Sequence, residues 1–176
     1  MADKQQEGRD VDSPTNKALR ELLAVAGVRV DLPGNTLAAA GLFLTNAVLC
    51  LKDVAGTQGR AQAPLRAKWL RNCGERFLRP LIDIVRPKLI ICLGEAAYRS
   101  VLTAHGLPSR GDFRAAVEGA KPIGLCPGRQ ALAVYHCSPT VVNTHPRRKQ
   151  QGTLDWQKRD WQRVAAAVRE VSRGPA

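Results

Sequence analysis

Leu89-Ile90-Ile91-Cys92-Leu93, fenced by Pro87 and Gly94, leaves a chain few ways to fold around it. The run is too short for an ordinary helix and too apolar for a surface. It reads as a strand buried on both faces, as strands are in a parallel sheet covered by helices. Two more runs share that character. One extends from Leu42 to Leu49, with Phe43, Thr45 and Val48 in it, and the other from Ala131 to Tyr135. Around them, apolar positions recur at helical spacing. Ser13-Pro14 supplies an N-cap and a first helical residue, and Leu19, Leu22, Leu23 and Ala26 follow up to Gly27, which predicts a helix over 14–26. Leu70, Cys73, Phe77, Leu81 and Ile84 predict a helix over 66–85, kinked or broken near Pro80. Short and long helices are expected over 95–104 and 155–172, the latter burying Trp161, Val164, Ala165, Val168 and Val171. Residues 52–64 and 107–130, dotted with Gly and Pro, read as loop and irregular chain.

Helices alternating with strands predict an α/β layered fold with a parallel sheet. We expect a flexible leader at 1–12, one domain over 13–172 and a tail at 173–176. Ligands of such sheets bind beyond the carboxyl ends of the strands. Thr45 and Asn46 lie toward one such end, Gly94 and Glu95 at a second, and His136 at the third.

Composition matters chiefly through charge. The chain of 176 residues carries a formal +12. Residues 1–16 hold Lys4 and Arg9 against Asp3, Glu7, Asp10 and Asp12, a net −2, so residues 17–176 carry +14. The positive charge belongs to the body and points to a polyanionic partner, with an unspecialised basic surface as the plain alternative. No apolar run reaches membrane-spanning length and no signal peptide opens the chain, so a cytoplasmic protein with no membrane partner is expected. Five cysteines at 50, 73, 92, 126 and 137, none in a C-x-x-C, read as reduced thiols.

Phosphate-cradling loops are excluded: there is no G-x-x-x-x-G-K-[ST], and no G-x-G-x-x-G after a strand. Cys50, Cys73, Cys137 and His145 lack the short paired spacing of a zinc site, so no metal is expected. His136 and Cys137 are neighbours on an extended strand end and point to opposite sides, which argues against a Cys–His nucleophile pair. Asn46 has two readings: a polar residue where a strand frays, or a carboxamide whose adjacent donor and acceptor match a pyrimidine edge. The run Arg147-Arg148-Lys149 is either a solvated loop or a phosphate contact.

Taken together, Leu44-Thr45-Asn46-Ala47-Val48-Leu49-Cys50, Arg86-Pro87-Lys88 through Leu93-Gly94-Glu95-Ala96-Ala97, and Tyr135-His136-Cys137-Ser138-Pro139 resemble the uracil-DNA glycosylase superfamily, over about Gly8 to Val171. The middle block is the most distinctive. The first looks like the family's base-reading strand. The third looks like its H-P-S-type motif, with Cys137 in place of the usual proline. The resemblance implies a three-layer α/β/α sandwich and excision of uracil, or a related deaminated base, from DNA by N-glycosidic hydrolysis in base excision repair. The base is flipped into a pocket. It assigns Asn46, with Thr45 and Ser138, to substrate binding. His136 would stabilise charge on the leaving base. Arg60, Arg147, Arg148 and Lys149 would lie on single- or double-stranded DNA, with the loop from Thr140 to Lys149 pressed into the groove. A monomer is expected.

Two features depart from the family. Its first motif, which supplies a water-activating Asp, Asn or Glu and a stacking aromatic, has no counterpart here, nor does the central strand that carries it. Asp10 or Asp12 would be a substitute without a scaffold. We therefore expect either a shortened chain whose start lies upstream, or a catalytically inactive DNA-binding remnant. An unrelated basic α/β protein is the remaining alternative. The second departure concerns iron. Some branches hold a [4Fe–4S] cluster on four cysteines, and Cys50 and Cys73 fall near two of those positions. Four thiolates are needed, so the expectation is no cofactor.

Overall fold

The computed structural model describes residues 13–28, 30, 41–48, 67–108, 112–119, 121–147 and 154–173. The leader, the whole of the 52–64 loop, Cys50, Arg60, Arg148, Lys149 and residues 174–176 lie outside the described residues.

Helix α1 spans Pro14–Val25 and starts as its sequence dictates, with the Ser13 hydroxyl accepting the Asn16 N–H at 3.2 Å. Helix α2 spans Ala67–Cys73 and α3 spans Arg79–Val85, joined by a π-helical turn over Gly74–Leu78. Pro80 lacks an N–H, and its ring crowds the carbonyl four residues back. The widened turn just before it absorbs that misfit, and the Arg79 N–H reaches back to Gly74. Arg86 stops α3 in the left-handed conformation at φ 52°, and Pro87 prevents continuation.

Strand β1 is Leu89–Leu93, helix α4 is Glu95–Ala104, helix α5 is Phe113–Gly119, and strands β2 and β3 are Ile123–Cys126 and Arg129–Val134. Helix α6 is Pro139–Thr144 and helix α7 is Asp155–Arg173. The sheet order is β1-β3-β2. β1 runs parallel to β3 in a register from Leu89↔Gln130 to Leu93↔Val134, and β2 is antiparallel to β3. The Gly94 N–H continues the parallel ladder to the Val134 carbonyl at 2.8 Å. It does so at φ 87°, ψ 164°, a conformation open essentially to glycine, as the chain turns from β1 into α4.

The chain forms two compact units, residues 1–44 with 136–169, and residues 45–135 with 170–176. In the second, α4 and α5 pack on the sheet around Ile82, Cys92, Tyr98, Val101, Leu102, Val117 and Ala131. Phe113 meets Tyr135 edge-on at 5.5 Å, the geometry that opposes ring edge to ring face. Asp83 on α3 accepts Arg79 at 2.9 Å and Arg129 at 2.7 Å, and these two guanidiniums hold its carboxyl below the usual range. In the first unit, Leu22, Trp156, Trp161 and Val164 are buried almost completely.

The α/β class is as expected, but the sheet is mixed, and three local expectations fail. Residues 42–48 form no strand, and Phe43 and Leu44 are more than half exposed instead of buried on both faces. A strand exists only by pairing, and β1 pairs with β3 alone among the described residues. Residues 107–130, expected irregular, contain α5 and β2. Pro139–Thr144, expected as part of a loop, is α6.

Candidate functional site

His136 comes two residues after β3 ends, in a segment without regular structure that leads into α6. Ser138 takes the N-cap position of α6 and Pro139 its first turn. That start turns the Ser138 N–H back onto His136 Nδ1 at 3.0 Å. A nitrogen that accepts an N–H carries no proton itself. The neutral ring of His136 therefore bears its proton on Nε2 and presents a donor on its outer edge. Partial burial lowers the His136 pKa from its ordinary value, so the ring is neutral near pH 7. The Ser138 side chain makes no capping bond, and its contribution to the histidine comes from the backbone. Cys137 is buried, its thiol pushed up by burial and directed to the Thr15 carbonyl at 3.7 Å, which suits packing and not nucleophilic attack.

The same segment is held at both ends by α7. Gln157 Nε2 donates to the His136 carbonyl at 3.0 Å. At the other end the His145 ring stacks on Trp156, centroids 4.2 Å apart and planes 13° from parallel. His145 Nδ1 accepts the Arg147 N–H at 3.2 Å. Arg147 Nη1 donates to both carboxylate oxygens of Asp160 at 3.2 Å, and its guanidinium lies 5.7 Å from the Trp156 ring centre. Asp160 is only 5% exposed.

Of the site residues expected from sequence, His136, Ser138 and Arg147 thus lie within one unit, bound to a common helix or to each other. Arg147, expected on phosphate, has its guanidinium engaged by Asp160. Thr45 and Asn46 belong to the other unit and are exposed, with the Thr45 hydroxyl donating to the Asn46 carbonyl at 3.4 Å. Sequence reasoning missed Trp156, Gln157 and Asp160. A signal was present: Gln157 and Asp160 share the helical spacing that buries Trp156, Trp161 and Val164, and polar groups on a buried face must be bonded to something.

A test of the histidine's surroundings follows from linkage. His136 and His105 both have folded pKa values lowered by burial. As pH falls through about 6.5, the unfolded chain binds protons before the folded one does, so stability is lost with falling pH and regained above that value. Urea unfolding from pH 7.5 to 5.5 is expected to show decreasing stability. The decrease should be smaller in a His136→Gln variant; an identical profile in that variant would exclude His136 as a contributor.

No group of three or more His, Cys, Asp or Glu side chains placed to hold an ion occurs among the described residues. Cys92, Cys126 and Cys137 are free thiols, as expected, whereas Cys73 is disulfide-bonded and corrects the expectation of reduced thiols throughout. No helix among the described residues is long and apolar enough to cross a membrane.

Comparison with known proteins adds a family. The model of the uracil DNA glycosylase superfamily matches residues 2–162. A type-5 uracil-DNA glycosylase of Pyrobaculum aerophilum is 32% identical over 103 residues, which cover 58% of this chain and 39% of that relative's length. No solved structure matches at the same stringency.

Proposed function

Because the chain belongs to the uracil-DNA glycosylase superfamily, we propose that it releases uracil, or a related deaminated base, from DNA as a step of base excision repair. The observation that carries this reading is the neutral, backbone-oriented His136, which offers Nε2–H just beyond the end of β3. Hydrolysis breaks the bond between C1′ of deoxyribose and N1 of the base. The electron pair of that bond leaves with the base, and water supplies hydroxyl to C1′ and a proton to the products. Negative charge builds on a carbonyl oxygen of the departing ring. A fixed N–H donor aimed at that oxygen stabilises the transition state more than the ground state. A neutral imidazole suits this role, because protonation at Nδ1 would place a proton against the Ser138 N–H and misorient the ring.

In this reading Asn46, with Thr45 beside it, hydrogen-bonds the edge of the flipped base, and Ser138 also contributes to substrate binding. Arg60, Arg148 and Lys149 neutralise phosphates, in keeping with the +12 charge of the chain. One observation favours a second reading, DNA binding without catalysis. The described carboxylates of the unit that holds His136 are all in ion pairs, Glu21 and Asp155 with Lys158 and Asp160 with Arg147. None of the three is left to activate water.

The two readings separate in one experiment. A labelled oligonucleotide with a single uracil is incubated with the protein and then treated with alkali, alongside a binding isotherm at several salt concentrations. Strand cleavage at the uracil is expected. Salt-sensitive binding with an intact strand would support the second reading, and neither binding nor cleavage would refute both.

A further inference from the structure

We propose that Gln157, Trp156 and Asp160 of α7 are positioning residues that clamp the segment from His136 to Arg147, and that Arg147 serves as the anchor of this clamp instead of as a phosphate contact. The proposal rests on the reading of His136 as the group that meets the leaving base. Its structural part can be tested without that reading.

The three side chains are unusual for their place. Trp156, Gln157 and Asp160 lie within one turn of α7, and all are buried, with Gln157 1% exposed. A carboxamide and a carboxylate removed from water are unfavourable unless their bonds are made inside the protein. Here both direct their bonds to the two ends of a single segment. Gln157 gives its N–H to the His136 carbonyl, while its own carbonyl oxygen receives no hydrogen bond. A residue kept for packing alone would not need that amide. Asp160 binds Arg147 with both oxygens, and Arg163 approaches the same carboxylate at 3.8 Å. Trp156 fills the space between, with His145 stacked on its face and the Arg147 guanidinium against its ring.

The consequence for His136 is geometric. Its ring is oriented by the Ser138 N–H, and Ser138 is the N-cap of a helix of six residues, Pro139–Thr144. A helix that short does not hold itself in water. Something must fix both of its ends, and α7 does so through the His136 carbonyl before it and His145 and Arg147 after it. A misplacement of about 1 Å at a reacting group lowers a rate by up to about 100-fold. Arg147, with a side chain 20% exposed and a carboxylate already on it, is a poor candidate for a phosphate. Arg148 and Lys149, next in sequence, keep the phosphate role in the proposed function.

Two variants test this, after circular dichroism has shown each to be folded. In Gln157→Leu, nitrogen NMR of the imidazole should show His136 moving from the Nε2–H tautomer toward the mixed populations of a free histidine. If that variant does not fold, Gln157→Met serves in its place. An unchanged His136 tautomer in a folded variant would overturn the clamp. The second variant combines Arg147→Gln with Asp160→Asn, so that no buried charge is left alone. It should keep the wild-type slope of log binding constant against log salt for a uracil-containing oligonucleotide, while single-turnover base release falls about 10-fold or more. A slope lower by about 1 would put Arg147 on phosphate and overturn its anchoring role. Failure of the wild type to release base would sink the parent reading, and the tautomer result would still decide the clamp.

Discussion

Replacing His136 by alanine is expected to lower single-turnover base release by about 100- to 1,000-fold, the loss seen when one preorganised donor is taken from a developing oxyanion. Affinity for DNA should stay near the wild-type value, because under the proposed function a half-buried ring meets only the base and contributes little to phosphate binding. The separation matters. A drop in rate and affinity together would mean that the substitution disturbed the binding surface, and His136 would lose its assigned role. Glutamine at the same position keeps an N–H donor but lacks the ring whose Nδ1 accepts the Ser138 amide. His136→Gln should therefore recover only part of the rate. Stopped quench assays with enzyme in excess, set against binding measured by fluorescence anisotropy, give both numbers on one preparation.

The largest effect on stability is expected from Trp161→Ala. Trp161 is 1% exposed within α7. Deleting so large a buried ring removes its transfer free energy and leaves a cavity that the surroundings fill only in part, at a cost of about 3–5 kcal/mol. Domains of ordinary stability have about 5–15 kcal/mol in total, so the variant retains a small margin or none. For a chain of this length each kcal/mol lowers Tm by about 2–4 °C, which predicts a fall of about 6–20 °C. Calorimetry decides it. A shift under about 2 °C would mean that the ring is not packed as described. Trp161→Phe, which keeps most of the apolar volume, should fall between.

The sequence and the structure agree where local signals act alone. Ser13-Pro14 began α1, Leu89–Leu93 became β1, and the period through Trp161, Val164 and Ala165 became α7. They part where a segment needs a partner. The apolar run after Leu42 has strand composition, but composition does not supply a neighbouring ladder, and residues 42–48 form none. The miss at 107–130 was avoidable in part. Asp112, whose carboxylate accepts the Arg114 N–H at 2.9 Å, followed by Phe113, Ala116 and Val117, is an N-cap with helical spacing. Ile123 to Cys126, then Pro127-Gly128, then Arg129 to Val134 is a hairpin with a turn dipeptide at its centre. Repeated Pro and Gly hid both.

The candidate site divides in the same way. His136 was legible because an apolar strand ends just before it. Its tautomer was not, since that depends on where α6 begins. Arg147 looked like its neighbours Arg148 and Lys149 in a basic run. Only tertiary structure distinguishes it, by placing Asp160 and Trp156 against it. Charge runs in sequence carry no information on which member is already satisfied.

The most direct measurement is free base. Uracil released from a uracil-containing oligonucleotide is quantified by mass spectrometry, with protein in excess and the His136→Ala variant purified in parallel to control for contaminating activity. Uracil equal to the abasic sites formed, with the variant slower by about 100-fold or more, is the expected result. No uracil from the wild type, or the same amount from both proteins, would contradict the account.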